Sequence, residues 1–198
     1  MAKRIFDIVF SLFVLILLLP FFVVILLLIK FTSSGPVFYR QVRVGSNLTD
    51  FRIYKFRTMF TGSDKGSLVT VGDRDSRITP VGYWLRKYKL DELPQFINVL
   101  VGDMSIVGPR PEVRKYVNLY NHDQLKVLSV RPGITDYASI RYSNESALLA
   151  AASDPEKEYI SNIMPAKLRL NLEYVNNRTF AGDLKIIALT AGKIVSSH

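Results

Sequence analysis

The chain has 198 residues, with 26 Lys and Arg against 17 Asp and Glu, a net charge of +9, and no cysteine. That length suits one domain with a modest core plus appendages, and the missing thiols exclude disulfides and cysteine-bound zinc. The only histidines, His122 and His198, stand far apart in sequence. This argues against an imidazole metal site or a Ser-His-Asp triad, and leaves hard, oxygen-ligated cations such as Mg²⁺.

Residues 12–29 (LFVLILLLPFFVVILLLI) carry no charge and no hydroxyl. The run is long enough for a membrane segment, too long for the apolar part of a signal peptide, and followed by no small-residue cleavage site. Pro20, near its middle, removes a helical hydrogen bond. Lys3 and Arg4 precede the run, and Lys30, Arg40 and Arg43 follow it. Positive charge on both sides holds both ends on the cytoplasmic face. Two readings stand on pattern alone: a single-pass anchor, or a re-entrant helix-break-helix that satisfies both features. The basic stretch after Ile29 also suits an anionic leaflet.

Residues 37–44 and 51–57 are rich in β-branched and aromatic side chains and flank the turn-forming GSNLTD, which predicts a β-hairpin. Residues 63–75 read as a polar loop, and 81–89 as a short helix with a basic end. Leu93, Ile97 and Leu100 fall on one helical face, so a helix should begin around Asp91, hold Pro94 in its first turn and stop at Gly102. Val113, Tyr116, Val117 and Tyr120 mark another helical face. Asp154 and Pro155 open a helix as cap and first residue. Leu168, Leu172 and Val175 continue a helical face, and the last helix should span about 183–195. These faces either pack on a core or lie in a membrane interface.

Asp91 and Glu92 sit at a helix start, where acids are favoured by the free N–H groups alone. A chemical role is the alternative. Arg86 and Lys89 precede the pair, and Pro109 and Pro111 restrict the backbone on both sides of Arg110. Lys55 and Arg57, two apart in a strand, should share a face. Arg131 lies in RPGIT, which reads first as a turn. A carboxylate pair among cations suits a Mg²⁺–diphosphate, with one acid attacking phosphorus and the other ligating, orienting or acting as base. Neither G-x-x-x-x-G-K-[ST] nor G-x-G-x-x-G occurs.

The apolar N-terminus with basic flanks, YKFRTM, LRKYKLDELPQFINVLVGDMSIVGPRPE, VRPGIT and LEYVNNRTFAGDLKII together resemble the bacterial sugar transferases. More narrowly, they resemble the small monotopic phosphoglycosyl transferases that begin bacterial glycan assembly, such as that of exopolysaccharide. The likeness runs through nearly the whole chain in order.

It implies an α+β, mainly helical fold. Residues 1–31 would form a re-entrant membrane hairpin turning at Pro20, and 32–198 a cytoplasmic catalytic domain with a β-hairpin and amphipathic interfacial helices. It also implies an enzyme on the cytoplasmic face of the inner membrane. This enzyme would move a sugar 1-phosphate from a UDP-sugar to polyprenol (undecaprenyl) phosphate, with Mg²⁺ required. By the resemblance, Asp91 is the nucleophile, forms a covalent phosphosugar intermediate and releases UMP. Glu92 is its partner acid, and Asp91 and Glu92 hold the metal. Lys55, Arg57, Arg86, Gln95, Arg110 and Arg131 are expected to bind substrate. Membrane lipid is an expected partner and nucleic acid is not. Met1 opens almost directly on the hairpin, as in the minimal form of the family.

The sequence departs from the family at three places. Leu19 replaces the serine common before the proline. Asn171 replaces an acid and receives no role. ITDYASIRYSNE differs from the larger members and is expected to help set sugar choice. Two other readings remain: a membrane-anchored nucleic-acid binder using Phe51, Tyr54 and Phe56, which has no use for the acid pair, and a non-catalytic scaffold.

Overall fold

Pro20 has no N–H to donate, and the apolar run breaks beside it. In this computed structural model, which describes residues 2–63, 72 and 75–196, helix α1 spans Ala2–Leu17 and α2 spans Leu19–Thr32. They meet at 62° across Leu18. Pro20 falls in the opening turn of α2, where a missing donor costs little. Among the described residues no single helix is long and apolar enough to cross a membrane, while the bent pair together has that length and composition.

The two helices face inward by different means. Lys3, Asp7 and Ser11, spaced four apart, line the inner side of α1, and Asp7 and Ser11 are buried. Val9, Phe13 and Ile16 point outward and are exposed. The outer face of this helix is therefore apolar, and its inner side carries polar residues beside Phe6 and Phe10. Helix α2 buries Phe22, Ile25 and Ile29 against Phe56 and Leu85 and leaves Val24, Leu27 and Phe31 exposed.

The predicted hairpin forms from β1 (Phe38–Val44) and β2 (Asp50–Phe56), antiparallel, with Phe38 opposite Phe56 and Val44 opposite Asp50. Of the polar loop expected at 63–75, all but Ser63, Gly72 and Asp75 lies outside the described residues. Helix α3 (Pro80–Lys87) starts at Thr79, whose hydroxyl accepts the Gly82 N–H at 2.9 Å.

The helix expected from Asp91 begins later. Lys89 is left-handed at φ 56°, Leu90–Glu92 form a 3-10 turn, and α4 runs only Gln95–Val101 before Gly102 ends it at φ 101°. The left-handed kink precludes continuous helix into the acid pair, and Pro94 becomes the cap residue.

A second, parallel pair joins β3 (Ser105–Val107) to β4 (Gly133–Thr135). Between them α5 is only Arg114–Val117, shorter than its apolar face implied. Helices α6 (Tyr137–Arg141), α7 (Glu145–Ala150) and α8 (Pro155–Glu158) follow, then a π-turn at Tyr159–Ile163, α9 (Met164–Asn177) and α10 (Phe180–Ser196). Asp154 caps α8 as expected, accepting the Lys157 N–H at 3.0 Å. The result is a mainly helical α+β fold with small sheets. The cluster of Val99, Met104, Ile106, Tyr174 and Ile186 joins α4, β3, α9 and α10, and Phe6 and Phe10 of α1 pack on it.

Candidate active site

The 3-10 turn at Leu90–Glu92 presents two adjacent carboxylates to a cleft of about 590 Å³. Lys55 enters the cleft from β2, Arg86 and Lys89 from the end of α3, and Arg110 from the loop after β3. Lys55 Nζ donates to Glu92 Oε1 at 2.8 Å. Arg110 donates from Nη1 to Glu92 Oε2 at 3.1 Å and from Nη2 to Oε1. Asp136 holds the Arg110 backbone, accepting its N–H at 3.0 Å, while also capping α6 through the Ser139 N–H.

Asp91 differs from its neighbour. Among the described residues no donor or cation pairs with its carboxylate, although the residue is 7% exposed. Burial pushes this carboxyl above its usual 3.8. Lys55 pulls it back, Glu92 pushes it further up, and Arg86 and Lys89 pull it down. Burial acts on Glu92 in the same upward sense, but Arg110 and Lys55 outweigh it and hold Glu92 well below 4.5. Burial lowers the Lys55 ammonium from 10.5, against the opposing pull of Glu92. Glu92 is thus held toward its ionised form by the cations that anchor it, and Asp91 is the uncommitted carboxylate.

Of the residues expected at the site, Asp91, Glu92, Lys55, Arg86 and Arg110 line this cleft. Arg57 does not, and its expected place among the site residues is corrected. Its backbone still pairs one residue past β2, the N–H donating to the Val37 carbonyl at 2.8 Å, but its side chain is taken up elsewhere. The Arg57 side chain is buried and donates to the carbonyls of Ser33, Ser34 and Pro36 at 2.9, 2.7 and 2.6 Å, tying down the exit from α2. Arg131 is likewise elsewhere: its Nε donates to the Gly102 carbonyl at 2.8 Å at the end of α4. Gln95 is 1% exposed, with Nε2 unpaired, and does not line the cleft.

The bacterial sugar transferase family model matches residues 1–197. The chain belongs to that family. It is 38% identical over 197 residues to "uncharacterized sugar transferase EpsL" of Bacillus subtilis, covering 99% of this chain and 88% of that one. It is 43% identical over 197 residues to the UDP-N-acetylgalactosamine-undecaprenyl-phosphate N-acetylgalactosaminephosphotransferase of Aeromonas hydrophila, covering 98% of this chain and 44% of that one. The UDP-glucose:undecaprenyl-phosphate glucose-1-phosphate transferase of Klebsiella pneumoniae is 39% identical over 196 residues, with coverage of 96% and 39%. The chain thus spans less than half the length of the latter two.

In this bacterial sugar transferase the cleft lining is mixed. Phe10, Phe96, Ile187, Ala191 and Ile194, from α1, α4 and α10, supply apolar surface, with Thr190 and Lys193 among them on α10. Sequence reading missed the Lys167–Glu145 ion pair at 2.6 Å and the Arg43–Glu112–Tyr159 network, which also line it. It also missed Asp136 as the anchor of Arg110. The Asp-then-helix pattern at 136–141 carried a capping signal for Asp136; the rest are long-range pairs with no local signature.

No three acidic or imidazole groups converge on a metal position among the described residues. Mg²⁺ needs only one or two carboxylates when phosphates supply the remaining oxygens. Asp91, with free carboxylate oxygens, fits that requirement. Glu92 does not, because both its oxygens already accept from cations.

Proposed function

We propose that this chain transfers a sugar 1-phosphate from a UDP-sugar to undecaprenyl phosphate, with Asp91 as nucleophile. The observation that carries the reading is the unpaired, buried carboxylate of Asp91 beside a cation-locked Glu92, in a cleft lined by both charged and apolar residues.

An Asp91 oxygen attacks the β-phosphorus of the UDP-sugar. The bond from that phosphorus to the bridging oxygen breaks, and UMP leaves with the electron pair. A phosphate oxygen of the lipid then attacks the same phosphorus, frees Asp91 and forms the polyprenyl diphosphate sugar. Burial keeps Asp91 poorly solvated and therefore more nucleophilic. Arg86 and Lys89 line the cleft without an ion pair among the described residues, so their charge is free for the diphosphate. Arg110 and Lys55 orient Glu92 and add positive field at the reacting phosphorus. A Mg²⁺ held by Asp91 and substrate oxygens would supply further neutralisation of the diphosphate charge.

The exposed apolar faces of α1 and α2 suit insertion of residues 1–31 into one leaflet from the cytoplasmic side, and they adjoin the apolar part of the cleft lining through Phe10. A soluble nucleotide and a membrane-held lipid would then reach Asp91 from different sides.

The test is UMP release from a panel of UDP-sugars with Mg²⁺ and undecaprenyl phosphate, for wild type and Asp91→Asn in parallel. Release with wild type and loss in the variant is expected, together with a covalent phosphosugar adduct when the lipid is withheld. Equal release by both proteins removes Asp91 as nucleophile.

A further inference from the structure

Asn171, on α9, is 5% exposed, and its Oδ1 has no hydrogen-bond partner; among the described residues nothing pairs with its Nδ2 either. A buried amide with no partner is costly to the free protein. Asn171 lines the active-site cleft, and also a small cavity of about 20 Å³ behind the loop Pro109, Arg110 and Pro111. Across the cleft wall, the Oγ of Ser139 on α6 is a second buried polar atom without a partner. Two residues lining the cleft, on α6 and α9, therefore each carry a buried, neutral polar atom without a partner.

Their chemistry selects among the parts of the substrates. A phosphate would draw on the cations around Asp91, and the nearest lysine on α9, Lys167, is already neutralised by Glu145. A polyprenyl chain offers nothing for an amide to bond. The remaining groups are the sugar ring and the uracil. Asn171 abuts the loop carrying Arg110, which grips the neighbour of the nucleophile. The sugar is joined directly to the attacked phosphorus, whereas the uracil lies beyond the ribose and the α-phosphate. An amide offers donor and acceptor together, and a serine hydroxyl can do either, which matches a ring diol or an acylamino group.

We propose that Asn171, with Ser139, reads the sugar of the nucleotide substrate and sets which sugar is transferred. This rests on the UDP-sugar reading of the Asp91 cleft. It also puts Ser139 of α6 in direct contact with the sugar.

The experiment compares kcat/KM over a UDP-sugar panel for wild type, Asn171→Leu and Ser139→Ala, alongside inhibition by UMP, which lacks the sugar. The expected result is a fall of at least about tenfold in the ratio of the best to the second-best sugar, with UMP inhibition unchanged. The melting temperature of ligand-free Asn171→Leu should not fall, since an unpaired amide is removed. An unchanged sugar ratio overturns the proposal and makes Asn171 a structural amide. UMP inhibition that weakens in parallel with turnover overturns it in favour of a uridine contact. If Asn171→Leu does not fold, Ser139→Ala carries the same two readouts. A wild type that turns over no UDP-sugar overturns the transferase reading and this proposal with it; normal wild-type turnover with an unchanged ratio overturns this proposal alone.

Discussion

Arg110 holds Glu92 at two points, Nη1 on Oε2 at 3.1 Å and Nη2 on Oε1, while Lys55 adds a third bond to Oε1 at 2.8 Å. Each charge in this triad is largely removed from water. Removing one member leaves the others uncompensated. Glu92→Gln should therefore destabilise the protein by about 3 kcal/mol, measured by denaturant unfolding in detergent micelles. Adding Arg110→Met to Glu92→Gln should cost less than the two single changes summed, because no guanidinium is then left unpaired. Strict additivity would show that the two residues do not act as a pair.

Lys55 of this triad also acts on Asp91. On the proposed mechanism Asp91 must be ionised to attack, and Lys55 is the strongest of the groups that oppose its raised pKa. Lys55→Met should move the acid limb of kcat/KM to higher pH, and Arg86→Met should move it the same way by less. An acid limb that stays in place in Lys55→Met would mean that a group other than Asp91 titrates there.

Asp91 also imposes a stability cost with a definite sign. Its folded-state pKa lies above its ordinary value, so the native protein prefers the protonated acid. The stability it contributes is complete below the unfolded value of 3.8 and is lost as pH rises through the raised folded value. With chelator present to remove cations, Asp91→Asn should melt higher than wild type at neutral pH. The difference should shrink as pH falls through the raised folded value. A variant that melts lower at neutral pH would contradict the burial that makes this carboxylate unusual.

How much of this was legible in sequence depends on where each feature is decided. The break near Pro20, the hairpin around GSNLTD and the apolar faces of α9 and α10 are local, written in proline chemistry, turn residues and periodicity. The clustering of Asp91, Glu92 and Arg110 followed from their rigid, closely spaced setting. Arg57 and Arg131 show the limit. Whether Arg57 is free depends on where the exit from α2 leaves the Ser33, Ser34 and Pro36 carbonyls, and whether Arg131 is free depends on where α4 leaves its last carbonyls. The parallel pair β3 and β4, three residues each, is too short to show alternation. Asn171 and Ser139 stand out only because of what their neighbours fail to offer, which no spacing encodes.

The meeting of β3 and β4 yields a prediction of its own. A methyl group on Gly133 would lie 2.1 Å from the Gly108 nitrogen and 2.4 Å from the Gly108 oxygen, both backbone atoms that cannot swing aside. Gly108 immediately precedes Pro109 and Arg110. Gly133→Ala should therefore push the Arg110 loop away from Glu92, lowering the melting temperature and cutting kcat/KM by about tenfold or more through lost positioning. A variant with wild-type activity would show that the strand pair can separate without disturbing the clamp.

The N-terminal helix pair is bonded to the elements that carry the candidate site. Arg4 donates to the last carbonyls of α4, Val99 at 2.6 Å and Leu100 at 3.1 Å. Asp7 accepts from the Ser105 hydroxyl at 2.8 Å and the Ile106 N–H at 3.3 Å on β3. Lys3 pairs with Asp183 of α10 at 2.6 Å. Helix α4 follows directly on the Asp91 turn, and β3 leads into the Arg110 loop, so α1 braces both halves of the candidate site. Asp7→Asn leaves the apolar face of α1 intact but weakens charge-assisted bonds in a buried place. It should cost about 2 kcal/mol of stability while membrane association stays unchanged in flotation with vesicles. A chain beginning at Ser33 should lose the melting shift that a UDP-sugar gives the full protein, because α4 and β3 lose their partner surface. If that truncated chain keeps the shift, the hairpin is only an anchor, and the contacts of Arg4 and Asp7 have no part in holding the site.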